Sequence, residues 1–345
     1  MRESLACLAG ELPRVLRMRA VQVLAVLVTL AMGGVGWWLN TPGGVDYPTG
    51  SYGLATGSAG GVYALYGTLF KPRVDHDLPG VVLRLDASEG GPDNLRRVAT
   101  GQDTFGIATA DAVAHYNGPD GEDLRALGRL YDDYVQLVVP SDSSIRTVAD
   151  LRGKRVGTGQ PNSGVALIAD RVLRVSGIDP EGHQLTEVPV GIDEAPQQLR
   201  EGKIDAFFWS GGLPTQAITA LTAKAHVRLV PLGGLATPLD DLAAKEDPGA
   251  RNTQIYRTST IPVSAYPQTD KDEAVSTIAV ANLMVTRDDV SMGLVQRVTE
   301  SVIASRDEIG AYVHSAQLVD IRSAIYTDPL PLAEGARRYY VSVKP

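Results

Sequence analysis

The stretch TGSAGGVY, residues 56–63, combines two hydroxyl side chains with three glycines, and this pattern suits the binding of a small anion. A glycine-rich turn that enters a helix leaves the first backbone N–H groups of the helix without an intrahelical acceptor, so they can bind a carboxylate or a phosphate. The glycines would let a ligand approach the backbone closely, and Thr56 and Ser58 would add hydroxyl donors. A capped helix that packs tightly on a strand fits the same spacing equally well.

A second loop of this kind, GTGQPNSG, follows a short β-like run and ends at Gly164. The spacing from Gly159 to Gly164 matches a phosphate loop, but Val165 stands where that motif has its lysine, which argues against nucleotide hydrolysis. The dinucleotide fingerprint fails as well, because Asn162 occupies its third glycine position. What remains is a helix N-terminus with the small polar donors Asn162 and Ser163.

A third loop, FFWSGGLPTQAI, leaves a strand at Trp209 and enters a helix near Pro214, a favourable first-turn residue. Ser210 and Gly211 follow the tryptophan directly. In open α/β sheets, ligands gather at the carboxyl ends of strands, where such loops converge. Three loops of one type therefore predict a single anionic or zwitterionic small ligand that is held mostly by backbone groups.

Catalytic and metal-binding patterns are poorly represented in the sequence. Ser58 lacks the first glycine of a G-x-S-x-G nucleophile elbow, and the five histidines show no zinc-binding spacing. The acidic run DGED, residues 120–123, lacks the spacing of a calcium-binding EF-hand. We therefore expect no catalytic residue, no metal site and no cofactor.

Length and composition indicate a globular protein. The chain has 345 residues, 44% of them hydrophobic and 21% charged, which is enough for two domains of ordinary size. A net charge of −8 argues against nucleic-acid binding, although it is compatible with a local site for an anion. The single cysteine, Cys7, excludes an intramolecular disulfide.

An uncharged apolar segment, residues 21–38, predicts a membrane helix near the N-terminus. In helical form it would span about 27 Å, close to the hydrocarbon thickness of a bilayer. A cluster of arginines precedes the segment and the first cation after it is Lys71, so residues 1–20 should be cytoplasmic and the bulk of the protein extracytoplasmic. A cleaved signal peptide is the alternative, but no clean A-x-A site follows, which favours an uncleaved anchor. Residues 39–51 would form a linker.

Short β-like runs alternate with helical patterns over the rest of the chain, as in VVLRL, TFGIAT and IDAFFW. A helix is expected over residues 163–175, where apolar residues fall on one face and Gly177 follows as a stop signal. Such alternation predicts βαβ units and mainly parallel sheets with helices on both faces. We therefore expect an α/β body on a membrane-anchored stalk.

Five stretches carry a family resemblance: TGSAGGVYALYG, DLRGKRVGTGQPNSG, LREGKIDAFFWSGGLPTQAI, YPQTDKDEAVSTIAVANLMVTRDDV and the terminal AEGARRYY. They resemble the TAXI family, whose members are extracytoplasmic solute receptors of tripartite ATP-independent periplasmic (TRAP) transporters. The match runs in order from about residue 52 to residue 340, and GKIDAFFWSGGLPT is its most specific part.

The resemblance implies an α/β fold of the type 2 periplasmic-binding-protein kind, with a ligand cleft between two lobes. Lobe 1 would comprise residues 52–140 and 267–345, and lobe 2 residues 141–266, with crossing strands near 134–142 and 261–270. The protein would capture a small carboxylate, such as glutamate or a 2-oxo or dicarboxylic acid, and deliver it to the TRAP permease subunits in the membrane. We expect a monomer.

The resemblance also implies which residues contact the ligand. On lobe 1 they are Thr56, Ser58, Gly60, Gly61 and Tyr63, with Thr109 at a strand end. On lobe 2 they are Asn162, Ser163, Gly164, Trp209, Ser210 and Gly211, with Tyr266 near the return crossing.

The sequence departs from the family pattern after Thr109 and around Asn162, where hydroxyl side chains common in the family are missing, so the identity of the ligand stays open. A ligand-sensing domain that acts with a signalling partner is the first alternative function. The twenty or so residues before the anchor are too few for an output domain, which favours transport. An exported hydrolase is disfavoured, because the sequence shows no activated nucleophile or metal cluster.

Overall fold

The computed structural model describes residues 48–246, 254–267, 269, 273–318 and 320–344. The predicted cytoplasmic segment 1–20, the anchor or signal 21–38 and most of the linker 39–51 lie outside these residues. Within the residues described, no helix is both long enough and apolar enough to cross a membrane.

Strands and helices alternate along most of the described chain. The strands are β1 (Gly50–Ala55), β2 (Val81–Asp86), β3 (Phe105–Thr109), β4 (Leu124–Pro140), β5 (Arg155–Gly157), β6 (Thr186–Val188), β7 (Ala206–Gly211), β8 (Val227–Leu229), β9 (Tyr256–Ile261) and β10 (Val275–Arg287). The α-helices are α1 (Val62–Asp77), α2 (Gly91–Ala99), α3 (Ala110–Ala114), α4 (Gly164–Val175), α5 (Ala195–Arg200), α6 (Gln216–Thr222), α7 (Ala236–Glu246), α8 (Met292–Ala304), α9 (Arg306–Gly310) and α10 (Glu334–Ser342).

The strands form one mixed sheet in the order β2-β1-β3-β10-β4-β7-β5-β6, in which β8 also pairs with β4 and β9 with β10. The pairs β1–β2, β1–β3, β5–β6 and β5–β7 are parallel. Every pair that involves β4 or β10 is antiparallel. The α/β class is confirmed, but the expectation of a mainly parallel sheet is wrong, because the chain runs along β4 in one direction and returns along β10 in the other.

Two long, largely buried strands run through the middle of the sheet. β4 has 17 residues; it pairs with β10 through its first part and with β7 and β8 through its second. β10 has 13 residues; it pairs with β9 near its start and with β3 near its end. Most of the first segment predicted to cross between lobes, 134–142, lies in β4. The second, 261–270, starts at the last residue of β9 and continues into a short 3-10 turn, Val263–Ala265, before β10 begins at Val275. The crossing between lobes stays a prediction.

Helix α4 shows how local pattern and packing agree. Val165, Ile168 and Val172 recur at helical spacing, are buried, and belong to the same cluster as the side chains of β7. The helix ends at Val175, and Gly177 follows with a φ of +74°. The helix predicted over 163–175 is therefore confirmed to within one residue at its start.

The buried hydrophobic side chains form two large clusters that follow the two halves of the sheet. One includes Phe70, Phe105 and Tyr131 and takes its residues from both ends of the described chain. The other includes Ile168 and Phe207 and takes nearly all of its residues from the middle of the chain. Strands β4 and β10 contribute to both clusters, so each half of the sheet has its own core.

Candidate functional site

One cavity brings most of the predicted ligand contacts together. It encloses about 710 Å³ outside the protein atoms, part of it open to solvent. Ten of the thirteen predicted residues line it: Thr56, Ser58, Gly61, Tyr63, Thr109, Ser163, Gly164, Trp209, Ser210 and Gly211. These residues lie at or after the carboxyl ends of β1, β3, β5 and β7, where the sequence predicted that the loops would converge. Their contact with a ligand stays a prediction.

The loop after β1 brings the N-terminus of helix α1 to the cavity. Gly61 is the N-cap, and its backbone is extended, with φ −84° and ψ 161°. Within the described residues, the backbone N–H groups of Val62, Tyr63 and Ala64 donate no hydrogen bond. These donors lie at the positive end of a helix of 16 residues, so they favour a negatively charged group.

The loop after β5 brings a second helix N-terminus to the same cavity. Ser163 caps helix α4, since its Oγ accepts a hydrogen bond from the Ala166 N–H at 3.1 Å. The N–H groups of Gly164 and Val165, which both line the cavity, meet no acceptor among the residues described. Gly159 is needed here, because its φ is +91° and a Cβ would lie 2.8 Å from the Ala166 nitrogen.

Strand β7 contributes an aromatic ring and a hydroxyl to the cavity wall. Trp209 Nε1 donates a hydrogen bond to Thr215 Oγ1 at 2.9 Å, which fixes the indole ring. Ser210 Oγ lies 3.5 Å from Asp133 Oδ2. The helix after this loop begins at Gln216, two residues after Pro214, so the proline precedes the first turn; Thr215 has an extended backbone and serves as the N-cap.

Thr109 places an unpartnered hydroxyl at the cavity wall. It is the last residue of β3, and 4% of its surface is exposed. Its Oγ1 is buried and has no hydrogen-bond partner in the part of the chain that the structure describes. Leaving a buried polar group unpaired costs about 1–3 kcal/mol, so a ligand that accepts or donates a hydrogen bond here would recover that free energy.

A buried carboxyl group, Asp133, also lines the cavity and ends a short hydrogen-bonded chain. Tyr63 OH donates to Asn282 Oδ1 at 2.6 Å, and Asn282 Nδ2 donates to Asp133 Oδ1 at 2.7 Å. The pKa of Asp133 is raised from 3.8 to about 7, first by burial and then by the nearby carboxyl groups of Asp111 and Asp132, although the hydrogen bonds from Asn282 and Ser210 lower it. Burial and then Asp133 hold the pKa of Tyr63 well above its usual value, so its phenol stays a donor.

The charge of the cavity wall is negative. Glu89 and Asp133 line it, and no lysine, arginine or histidine does so within the described ranges. A ligand carboxylate would therefore depend on the backbone N–H groups and hydroxyls. In the same ranges, no group of three or more His, Cys, Asp or Glu side chains is arranged to hold a metal ion.

Three predicted contacts do not line the cavity. Gly60 is exposed, in a position where a Cβ would lie 1.8 Å from Asp193 Oδ1. Asn162 is exposed with a φ of +62°, and its side chain bonds to Glu89 rather than entering the cavity. Tyr266 is buried, and its hydroxyl accepts a hydrogen bond from the Thr215 N–H at 3.0 Å, behind the wall that Trp209 forms.

The sequence profile of the NMT1-like family matches residues 54–342, which is most of the chain. The chain belongs to the NMT1-like family. Among solved structures, this NMT1-like protein is similar to the alkanesulfonate-binding protein SsuA from Xanthomonas axonopodis pv. citri, with 18% identity over 86% of this chain and 84% of that one and a TM-score of 0.48.

Two further solved structures are similar to the NMT1-like chain at the same level. The periplasmic aliphatic sulphonate binding protein SsuA from Escherichia coli shares 16% identity over 86% of this chain and 84% of that one, with a TM-score of 0.41. The substrate binding protein of an amino acid ABC transporter shares 13% identity over 76% of this chain and 99% of that one, with a TM-score of 0.42.

Sequence reasoning missed several lining residues of this NMT1-like protein, and Asp133 is the most informative of them. The run LYDDYVQLVV places two adjacent carboxylates inside an otherwise apolar strand, which is a signal of a buried polar site. The other lining residues outside the thirteen predicted contacts are Gly57, Val62, Glu89, Gly90, Gly91, Gly159, Gln160, Val165, Val190, Gly191, Ile192 and Phe208.

Proposed function

We propose that this NMT1-like protein is an extracytoplasmic solute receptor of a membrane transporter. It binds a small carboxylate or amino acid in the cavity and delivers it to a permease. The resemblance to the TAXI family supports a TRAP permease as the partner, and the apolar segment 21–38 supports an extracytoplasmic location. The protein acts as a monomer on the outer face of the membrane.

The observation that carries this proposal is the convergence of unpaired donors on one cavity. The free N–H groups of Val62 and Tyr63 in α1 and those of Gly164 and Val165 in α4 come from different halves of the sheet. The buried hydroxyl of Thr109 adds a donor that has no partner in the described residues. Two helix N-termini and a free hydroxyl around a small space suit a ligand with a carboxylate.

A two-lobed arrangement accounts for the cavity. We propose that residues 52–140 and 267–345 form one lobe and residues 141–266 the other, with the ligand between them. The separate hydrophobic clusters of the two halves, and the two long strands that contribute to both, support this division. Closure of such lobes around a ligand would exclude water from the donors and strengthen their interaction with a carboxylate.

Binding without catalysis fits the side chains of the wall. The lining residues include neither a cysteine nor a histidine in the described part of the chain, so no nucleophile there has an imidazole as its base. Ser58 and Ser210 line the cavity, but Ser210 Oγ lies 3.5 Å from Asp133 Oδ2, which is at the long limit for a hydrogen bond. We therefore propose that the cavity holds its ligand unchanged.

The proposal is tested with the full-length protein purified in detergent. A thermal-shift screen of L-amino acids, 2-oxo acids and dicarboxylates should find ligands that raise the melting temperature, because a ligand that binds only the folded state stabilises it. Calorimetry then measures affinity, and mass analysis of the recovered ligand shows whether it is unchanged. The absence of a stabilising ligand in all three classes, or the recovery of a converted product, would contradict the proposed function.

A further inference from the structure

We propose that Asp133 selects ligands that carry an amino group, so that the solute is an α-amino acid rather than the matching 2-oxo acid or dicarboxylic acid. This inference rests on the proposed function and names the substrate class of the same cavity. It follows from the hydrogen bonds that Asp133 makes, from the acceptor capacity that it keeps, and from the charges around it.

The two oxygens of Asp133 are unequally used. Oδ1 accepts a hydrogen bond from Asn282 Nδ2 at 2.7 Å, whereas Oδ2 has Ser210 Oγ at 3.5 Å as its neighbour. An ionised carboxylate can accept about four hydrogen bonds. Since Asp133 lines the cavity, a donor on the ligand can use the remaining capacity.

Two successive hydrogen bonds, from Tyr63 to Asn282 and from Asn282 to Asp133, make Asp133 a hydrogen-bond acceptor. Tyr63 OH donates to the Asn282 carbonyl oxygen at 2.6 Å, so the amide nitrogen of Asn282 is the end that meets Asp133. Asn282 is fully buried and pairs in register with Thr109 on β3 and with Tyr131 on β4. The β4 strand has a bulge at this point, between Tyr131 and Arg129, which is typical of strands that aim a side chain into a site.

The neighbouring charges leave the floor of the cavity negative. Asp132 is paired with Arg129 and Arg257, at 2.6 Å each. The Asp111 carboxyl group accepts hydrogen bonds from the Ala112 N–H and from the Tyr256 hydroxyl, and no cation of the described residues pairs with it. Tyr63 and Tyr131, the other titratable groups near Asp133, are neutral because burial raises the pKa of both.

An amino group fits this floor, and a keto group does not. An ammonium group would donate to Asp133 Oδ2 and neutralise its charge, in a charge-assisted hydrogen bond. Toward ionised Asp133 the carbonyl oxygen of a 2-oxo acid offers only an acceptor, so the two oxygens would repel; it could pair only with the protonated carboxyl group, by accepting a hydrogen bond from its O–H. The ligand carboxylate would meanwhile lie at the backbone N–H groups, because no basic side chain lines the cavity within the described residues.

The test compares matched pairs of ligands that differ at one group, namely L-amino acids with their 2-oxo acids, and L-glutamate with glutarate. Calorimetry on full-length protein in detergent should give wild type a preference of at least about tenfold for the amino compound of a pair. Asp133→Asn should weaken binding of the amino compound by about tenfold or more and reduce that preference to less than about threefold. Asp75→Asn, the same change on the exposed surface of α1, should leave both unchanged.

The outcomes separate this inference from the proposed function. Equal or tighter binding of the oxo acid or of glutarate by wild type would overturn the role of Asp133 while the solute-receptor function stands. If Asp133→Asn kept the wild-type preference for the amino compound, the role of Asp133 would likewise be overturned and the solute-receptor function would stand. Failure of wild type to bind either member of every pair would overturn the solute-receptor function itself. The wild-type comparison needs no variant, so the inference stays testable even if Asp133→Asn does not fold.

Discussion

Asn162 Nδ2 donates a hydrogen bond to Glu89 Oε2 at 3.2 Å, and this bond joins the loop before helix α4 to the loop before helix α2 at the rim of the cavity. Both side chains are exposed; Glu89 lines the cavity, as Gly90 and Ser163 do, whereas Asn162 does not. The two loops lie close together, since a Cβ on Gly90 would be 3.7 Å from the nitrogen of Gly164. The bond therefore ties two walls of the cavity to each other.

We expect the bond between Glu89 and Asn162 to slow the release of ligand. Glu89→Ala and Asn162→Gly should each raise the dissociation constant about two- to tenfold, because a hydrogen bond contributes about 0.5–1.5 kcal/mol. Glycine is chosen at position 162 because the φ there is +62°. Stopped-flow dissociation rates measure the effect. The double variant should bind the ligand no more weakly than the weaker-binding single variant. If the losses of binding free energy in the two single variants add in the double variant, the two side chains act separately.

Ser58→Asp tests whether the N-terminus of α1 receives the ligand carboxylate. Ser58 Oγ lies close to Gly61, the N-cap, so a new carboxylate there would compete for the free donors and repel the ligand. A penalty of about 3 kcal/mol would weaken binding more than a hundredfold. Folding should survive, because an aspartate near a helix N-terminus is favourable by about 0.3–1 kcal/mol.

The control for this change is Ser58→Ala, which removes one hydroxyl and leaves the backbone donors in place. It should weaken binding about tenfold at most. Calorimetry gives the affinities, and melting curves show that each variant is folded. If a folded Ser58→Asp protein binds as tightly as wild type, the end of α1 serves as a helix cap without a ligand.

A side chain at position 60 should interfere with the rim of the cavity. A Cβ there would lie 1.8 Å from Asp193 Oδ1, so one of the two groups must move. Asp193 is exposed and its side chain can turn toward solvent, so Gly60→Ala should weaken ligand binding by about threefold at most. Gly60→Ala combined with Asp193→Ala should bind as Asp193→Ala does by itself. A combined variant as weak as Gly60→Ala would trace the loss to the loop backbone instead.

The convergence of three loops could be predicted from the sequence, because strand ends followed by glycines and helix signals meet at one edge of an α/β sheet. Ser163 illustrates this, since both its cap and the helix after it follow from local pattern. The role of Asp133 could not be predicted in the same way. Neighbouring residues of a strand point to opposite faces, so only the pairing of β4 decides that Asp133 lines the cavity while Asp132 binds Arg129 and Arg257.

The predicted contacts that miss the cavity depend on partners far away in the sequence. Asn162 sits beside Ser163 and has equally suitable chemistry, but Glu89 takes its side chain to the rim. The hydroxyl of Tyr266 accepts a hydrogen bond from the backbone N–H of Thr215 and does not line the cavity. These partners are distant in the sequence, so no local pattern shows them. Residues of similar type and spacing therefore line the cavity in some cases and lie outside it in others.

Asp133 should make both stability and binding depend on pH, in opposite directions. Its pKa in the folded protein is about 7, above its ordinary value of 3.8, because burial disfavours the charged form. The stability that this group contributes is therefore fully present below about pH 4 and is lost as pH rises to about 7. Asp133→Asn should raise the free energy of unfolding at pH 8, by roughly 4 kcal/mol at most, and change it little at pH 4. Denaturant titrations at the two pH values measure this difference.

Binding of an amino acid should instead strengthen as pH rises through about 7. An ammonium group pairs with ionised Asp133, so binding at low pH must first remove a proton from that carboxyl group. With a pKa of about 7, the ionised fraction falls roughly tenfold from pH 8 to pH 6, and affinity should fall by the same factor. Asp133→Asn should bind with nearly constant affinity over this range, whereas Asp75→Asn should keep the wild-type profile.

Calorimetry in buffers of different ionisation enthalpy should also detect proton release on binding at pH 6. A wild-type affinity that is flat between pH 6 and pH 8, without proton release, would show that Asp133 does not meet the amino group.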